Sequence, residues 1–427
     1  MPFSVKRLCR SELHFMDKNR YIVNGNKRLC GTVSVGGSKN AALPILFATL
    51  ATEGTSRIRN LPDITDVNVA LSILSDMGAE IKREGSTLTV DTSDLKYSPP
   101  DAAKTSLIRA SSYLIGACLS RFGVFHISHF GGCNFCNRPI DLHLYAASRL
   151  GARTCGELIE ADGHLVGNTV SFPKKSVGAT INALIMASTA RGTTKIEGYA
   201  REPHVMNLID YLSSAGADIH VGASVITVNG RALKGGDVAV IPDMIEAGTY
   251  LSAGVITGGE VTVVGVSPSE LLGFLEALYA SGVDIRCTER SISVIGGTRR
   301  AFSVTTAPYP GYPTDLQPQI APVMAKHGGA ITEGVWQNRF SYLAELARFG
   351  IVAEVCGERA TVLPSVLHSA QCRATDLRGG AAAILTALAC EGESEIYDPE
   401  LIQRGYSDIA AKLNALGAKV ELLKGDT

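Results

Sequence analysis

The residues best suited to chemistry lie in one stretch, Gly131-Gly132-Cys133-Asn134-Phe135-Cys136-Asn137-Arg138-Pro139-Ile140-Asp141-Leu142-His143. Two glycines free the backbone ahead of the Cys133 thiol. Arg138, Asp141 and His143 follow within ten residues of it. A guanidinium close to a helix start suits an anionic ligand, because the helix amides favour the same charge. The glycines before Cys133 and the polar residues after it disfavour a buried structural thiol. Cys133 and Cys136 have redox or zinc spacing, with His126, His129 and His143 nearby. A second pair of that spacing is missing from the sequence. His126 and His129, three apart on an expected strand, point to opposite faces and read as structural. No metal is assigned.

Placing that stretch requires a strand before it, Gly123 to Ser128, and a helix after it, ending at Leu150-Gly151. The same helix ending recurs six times, at Gly78, Gly151, Gly216, Gly282, Gly350 and Gly417, every 65 to 73 residues. Glycine just past a helix is the expected left-handed cap. Each repeat also holds an earlier helix rich in small residues: Lys39 to Ala51, Leu107 to Arg121, Val177 to Arg191, Ile245 to Thr257, Thr314 to His327 and Thr375 to Cys390. Each of these ends near a glycine of its own. Small residues permit close packing, so these six helices are expected inside and the second helices outside. The reading is an α/β fold of six repeated βαβαββ-type units.

Charged and polar residues recur at two places in the repeat. Lys39, Arg109, Ser176, Glu246, Asp315 and Arg378 stand at or near the starts of the small-residue helices; Arg138, Arg201, Arg339 and Arg404 stand at the tips between strand and second helix. If the inner helices of both domains point inward, these positions meet in one cleft. Helix N-termini with Lys and Arg make a phosphate-binding cleft.

The chain has 427 residues, 45% hydrophobic and 19% charged, with a net charge of -1 and a pI near 6.8. That length supports two full cores. The charge balance argues against nucleic acid as a partner. No apolar run approaches the roughly 20 residues of a membrane span. Residues 1–15 lack the apolar core of a signal peptide, and Met16 is an alternative start. The ten cysteines stand singly apart from Cys133 and Cys136, as expected of reduced thiols in a cytoplasmic protein.

The pattern Gly-Gly-Cys, short loop, Arg-Pro-x-Asp-x-His, carried by Cys133, Arg138, Pro139, Asp141 and His143, resembles the active-site loop of the enolpyruvyl transferase family, in its UDP-N-acetylglucosamine branch. One departure is Cys136, where the family has a small residue, usually Gly. The resemblance runs over about residues 18–424. Gly36-Gly37-Ser38-Lys39-Asn40 looks like the segment that contacts phosphoenolpyruvate, and its spacing is not that of a P-loop. Arg109 matches a substrate-contacting Arg. Lys174, Lys175, Ser176 and Val177 are similar to a uridine-nucleotide segment, with Lys175 replacing an apolar residue. By the same resemblance Arg138, Pro139, Ile140, Asp141 and Leu142 contact substrate. Asp315 sits in the stretch that carries the family's aspartate, Val335 matches a sugar-nucleotide contact in a stretch that also holds Arg339, and Arg378 and Arg404 are the remaining arginines, which face the enolpyruvyl donor.

What the resemblance implies is a pair of inside-out α/β barrels. Residues 39–240 would form one, residues 18–38 with 241–427 the other, and 1–17 an arm. It implies transfer of enolpyruvate from phosphoenolpyruvate to the 3-hydroxyl of UDP-N-acetylglucosamine, with no cofactor. Asp315 is then the candidate base, fixed by three nearby prolines and with Thr314 able to cap its helix. Cys133 is the candidate acid, its thiol made acidic by a cationic cleft, and Lys39 and Arg404 are catalytic cations. Alternatives are a paralogue acting on shikimate 3-phosphate or another nucleotide, and a non-catalytic nucleotide-binding regulator. The presence of Lys39, Cys133, Asp315 and Arg404 together disfavours the last.

Overall fold

The computed structural model describes residues 18–127, 130–131 and 139–425. The expectations for Cys133, Cys136, Arg138, His129 and the 1–17 arm lie outside them. The described chain divides into two compact units. One takes residues 36–243 and 308–310; the other takes residues 18–35, 244–307 and 311–425.

Each unit is an inside-out barrel of three small sheets around buried helices. In the 36–243 unit the sheets run Asp237–Ala239, Thr55–Arg59, Thr87–Asp91, Glu80–Glu84; then Val124–His126, Leu158–Ala161, Ala152–Cys155; then Asp218–Val221, Val225–Asn229, Thr193–Glu197, Thr169–Ser171. Burial alternates along these strands, as in Thr55–Arg59 and Thr193–Glu197, so one face meets helices and the other solvent. In the second unit Cys30–Ser34 pairs parallel with Glu260–Val264, and Phe302–Thr305 pairs parallel with Gly329–Thr332. The strand Arg20–Asn24 lies between Glu393–Tyr397 and Lys419–Leu423, antiparallel to both.

The small-residue helices are the interior. Gln317–Met324 is buried at every position, and Lys39–Ala48, Val177–Thr189, Met244–Ile256 and Leu377–Ala389 at nearly every one. The second helices Thr65–Asp76, Asp141–Arg149 and Leu272–Ala280 bury one face only. Small residues set how closely the inner helices approach. A Cβ on Gly248 would stand 2.5 Å from Leu316 Cδ1. All six repeat-defining glycines are left-handed, with φ from 86° to 104°.

Two inner helices are entered through 3-10 turns. The run from Leu107 begins as a 3-10 turn, Arg109–Tyr113, before the α-helix Leu114–Phe122. The run from Thr314 begins as the turn Thr314–Leu316 before Gln317–Met324. A 3-10 turn tightens the entrance of a helix. Here it puts Arg109 and Asp315 ahead of the first α-helical turn. The run from Thr375 starts its helix at Leu377, because the Asp376 carboxylate caps the N–H groups of Arg378 and Gly379.

Candidate active site

Lys39 opens the Lys39–Ala48 helix. The chain reaches it through Gly37, where a Cβ would stand 1.9 Å from the Asn60 carbonyl oxygen, so only glycine fits. Lys39 Nζ lies 2.7 Å from Asp66 Oδ2, and its backbone N–H donates to Asp243 Oδ2 at 3.3 Å. Asp66 and Asp243 are buried. The ammonium is therefore held by a carboxylate from the first turn of Thr65–Asp76.

Pro139 and Ile140 lead into the Asp141–Arg149 helix, whose first turn carries Asp141, Leu142 and His143. His143 is buried against the head of the Val177–Thr189 helix, which Ser176 caps through the Ala179 N–H. A Cβ on Gly178 would stand 2.8 Å from His143 Cε1, so glycine makes room for the ring. Asn182, one turn further along that helix, fixes the tautomer. Its Oδ1 accepts the Gly116 N–H at 2.7 Å, and a backbone N–H can only donate. Its Nδ2 must then be the donor, to the Ser112 carbonyl at 3.0 Å and to His143 Nδ1 at 2.6 Å. The proton of neutral His143 thus sits on Nε2. Burial, followed by the Arg109 charge, pushes His143 down from 6.5 to about 4, against a smaller opposing pull from Asp141. At neutral pH this ring is a donor, not a base.

In the second unit Asp315 lies on its 3-10 turn with one oxygen on each of two guanidiniums. Arg339 Nη2 donates to Oδ1 at 3.3 Å and Arg378 Nη2 to Oδ2 at 3.1 Å. Both arginine side chains are 4% exposed and the aspartate 29%, so the carboxylate faces outward with fixed cations behind it. Arg378 also lies over the Tyr406 ring, 5.5 Å from its centroid, and the Tyr406 hydroxyl bonds Thr249 and Gln319. Two guanidiniums meeting at one carboxylate bring together the fork-shaped donors that suit an anion. Thr314 does not cap the helix, contrary to the sequence expectation. Its hydroxyl donates instead to Glu333 Oε2 at 3.0 Å.

A family model described as EPSP synthase (3-phosphoshikimate 1-carboxyvinyltransferase) matches residues 23–413. The chain belongs to the enolpyruvyl transferase family. It is 38% identical over 413 residues to the UDP-N-acetylglucosamine 1-carboxyvinyltransferase of Halothermothrix orenii, covering 95% of this chain and all of that one. It is 40% identical over 424 residues to the protein of the same name from Pectobacterium atrosepticum, covering 96% and 99%. Among solved structures it resembles the enolpyruvyl transferase NikO from Streptomyces tendae, with TM-score 0.83 and 26% identity over 96% of this chain and all of that one. The EPSP synthase of Acinetobacter baumannii shares the fold at TM-score 0.70 and 18% identity, over 95% and 100%.

Other expected site residues of this enolpyruvyl transferase take varied positions. Asn40 and Arg404 are partly buried, Arg404 following the short helix Pro399–Gln403. Lys174 and Lys175 are exposed ahead of Ser176 and Val177, and Val335 is exposed on the turn after Gly329–Thr332. Two charged residues of the repeat pattern have structural partners. Glu246 accepts from Lys412 Nζ at 2.5 Å and from the Tyr250 hydroxyl at 3.0 Å. Arg201 donates to the Ala223 carbonyl and lies over the Tyr199 ring. Asp66, Asn182, Glu333 and Tyr406 were missed as candidates. A lone Asn in the apolar run Ala179-Thr180-Ile181-Asn182-Ala183-Leu184 is the one sequence signal that points to any of them. Among the described residues no group of three or more His, Cys, Asp or Glu side chains is arranged to hold a metal, and no helix is long and apolar enough to cross a membrane.

Proposed function

We propose that this enzyme transfers the enolpyruvyl group of phosphoenolpyruvate to the 3-hydroxyl of UDP-N-acetylglucosamine and releases phosphate, the first committed step of peptidoglycan synthesis, in the cytoplasm. Asp315 takes the hydroxyl proton as that oxygen bonds C2 of the donor. Cys133 delivers a proton to C3, leaving a tetrahedral ketal. C3 then loses a proton, the C2–O bond to phosphate breaks, and phosphate departs with the bonding pair. Lys39, Arg378 and Arg404 balance the donor's carboxylate and phosphate. Arg109 and Arg138 through Leu142, together with Lys174 to Val177, hold the nucleotide, while Val335 and Arg339 meet the sugar.

The observation that carries this reading is the Asp315 carboxylate, outward-facing and fixed on two buried guanidiniums at the head of an inner helix. It offers a base and an anion site in one place. Relatives named for this activity, alike over nearly the whole chain, support the choice of acceptor. Purified protein is incubated with phosphoenolpyruvate and UDP-N-acetylglucosamine, other uridine nucleotides or shikimate 3-phosphate, and phosphate release is followed. Release with UDP-N-acetylglucosamine well above the others is expected. Preference for another acceptor, or no release, overturns the assignment.

A further inference from the structure

We propose that Glu333 is a positioning residue for this site, setting the turn that carries Asp315 and the turn that carries Val335 from one buried carboxylate. The proposal rests on the functional reading above. Glu333 is 3% exposed and follows the strand Gly329–Thr332. Its Oε1 accepts from the Thr306 hydroxyl at 2.6 Å, the Val335 N–H at 2.9 Å and the Trp336 N–H at 3.1 Å. Its Oε2 accepts from the Thr314 hydroxyl at 3.0 Å. Thr306 Oγ1 in turn accepts the Gly334 N–H at 2.9 Å. One side chain thus ties the end of Phe302–Thr305, the residue before Asp315 and the Val335 turn.

The bonds differ in what they demand. Two backbone N–H groups can only donate, so they require an oxygen at Oε1. The Thr314 hydroxyl is the link to Asp315, whose own turn has no side-chain cap. Releasing Thr314 lets that turn drift, and a misplacement of about 1 Å in a catalytic group costs up to about 10²-fold in rate.

The test uses Thr314→Val, which keeps the shape and removes the hydroxyl, in the parent protein and in Asp315→Asn. In the parent, turnover should fall about tenfold or more with the acceptor KM within about twofold. In Asp315→Asn the same change should cost nothing further, because the base it positions is already gone. Thr314→Ser should restore turnover. Thr314→Ala removes the same hydroxyl without the second methyl, so it should show the same background dependence and serves if Thr314→Val does not fold, whereas Glu333→Gln keeps an oxygen for the two amides and an NH2 that the Thr314 hydroxyl can accept from, and should stay closer to the parent. An equal proportional loss in both backgrounds marks a merely structural role and overturns the proposal, as does a parent-like Thr314→Val. A parent protein that releases no phosphate overturns the functional reading and this one with it; variant results from an active parent bear on Glu333 alone.

Discussion

Acidification should weaken the 36–243 unit through His143. In the unfolded chain a histidine titrates near 6.5, whereas folded His143 does so at about 4. Between those values the unfolded state binds a proton that the folded state refuses. The stabilisation is therefore complete above about pH 6.5 and is lost as pH falls toward about 4. Each pH unit between the two values is worth about 1.4 kcal/mol, so the whole window amounts to about 3 kcal/mol, and about 2 kcal/mol of it is lost between about pH 7 and about pH 5. The origin is local: a ring buried beside Arg109 whose Nδ1 already accepts from Asn182. Protonating Nδ1 would set two donors against each other. His143→Gln supplies an acceptor for Asn182 and takes up no proton. Denaturant unfolding, followed by a probe in this unit, should show the parent losing about 2 kcal/mol more than His143→Gln over that range. Nitrogen chemical shifts of labelled imidazole report the tautomer directly. Parallel pH dependence in the two proteins, or a His143 resonance titrating near 6.5 or protonated on Nδ1, would refute the reasoning.

Two further outcomes bear on the proposed chemistry. Asp315→Asn should reduce turnover by about 10²–10⁴-fold while nucleotide binding, followed by calorimetry, stays near that of the parent; turnover within about twofold of the parent removes Asp315 from the base role. The phosphoenolpyruvate-like epoxide fosfomycin should alkylate Cys133 and inactivate the enzyme, with Cys133→Asp resisting the reagent and keeping some activity; peptide mass spectrometry that finds the adduct on Cys136 instead sinks the thiol assignment.

The architecture was legible because it repeats. Gly78, Gly151, Gly216, Gly282, Gly350 and Gly417 mark helix ends by a backbone requirement that any sequence must meet locally, and all six adopt it. The inner helices were legible for a similar reason, since a run of small apolar residues has few places to go but inside. What escaped was settled by partners far along the chain. Thr314 reads as a cap from its neighbours, yet its hydroxyl goes to Glu333, 19 residues on. Glu246 reads as one of the recurring helix-start charges, and its partner Lys412 lies 166 residues away. The tautomer of His143 depends on Asn182, 39 residues away, and through it on the Gly116 amide. Resemblance named Asp315, Arg339 and Arg378 together, but only packing shows that both guanidiniums grip one carboxylate.

The position of Arg20–Asn24 between Glu393–Tyr397 and Lys419–Leu423 has a consequence for synthesis on the ribosome. Residues 36–243 contain every strand of their three sheets, so that unit can close while the chain is still being extended. The strand Arg20–Asn24 emerges first and has both of its ladder partners among the last strands made. At roughly 5–20 residues per second it waits about 20 to 75 s for the first of them. Over that interval its backbone donors and acceptors are open to other chains, so newly made protein should depend on chaperones for this unit more than for its neighbour. A C-terminal truncation before Glu393 should leave 36–243 folded and the other unit aggregation-prone.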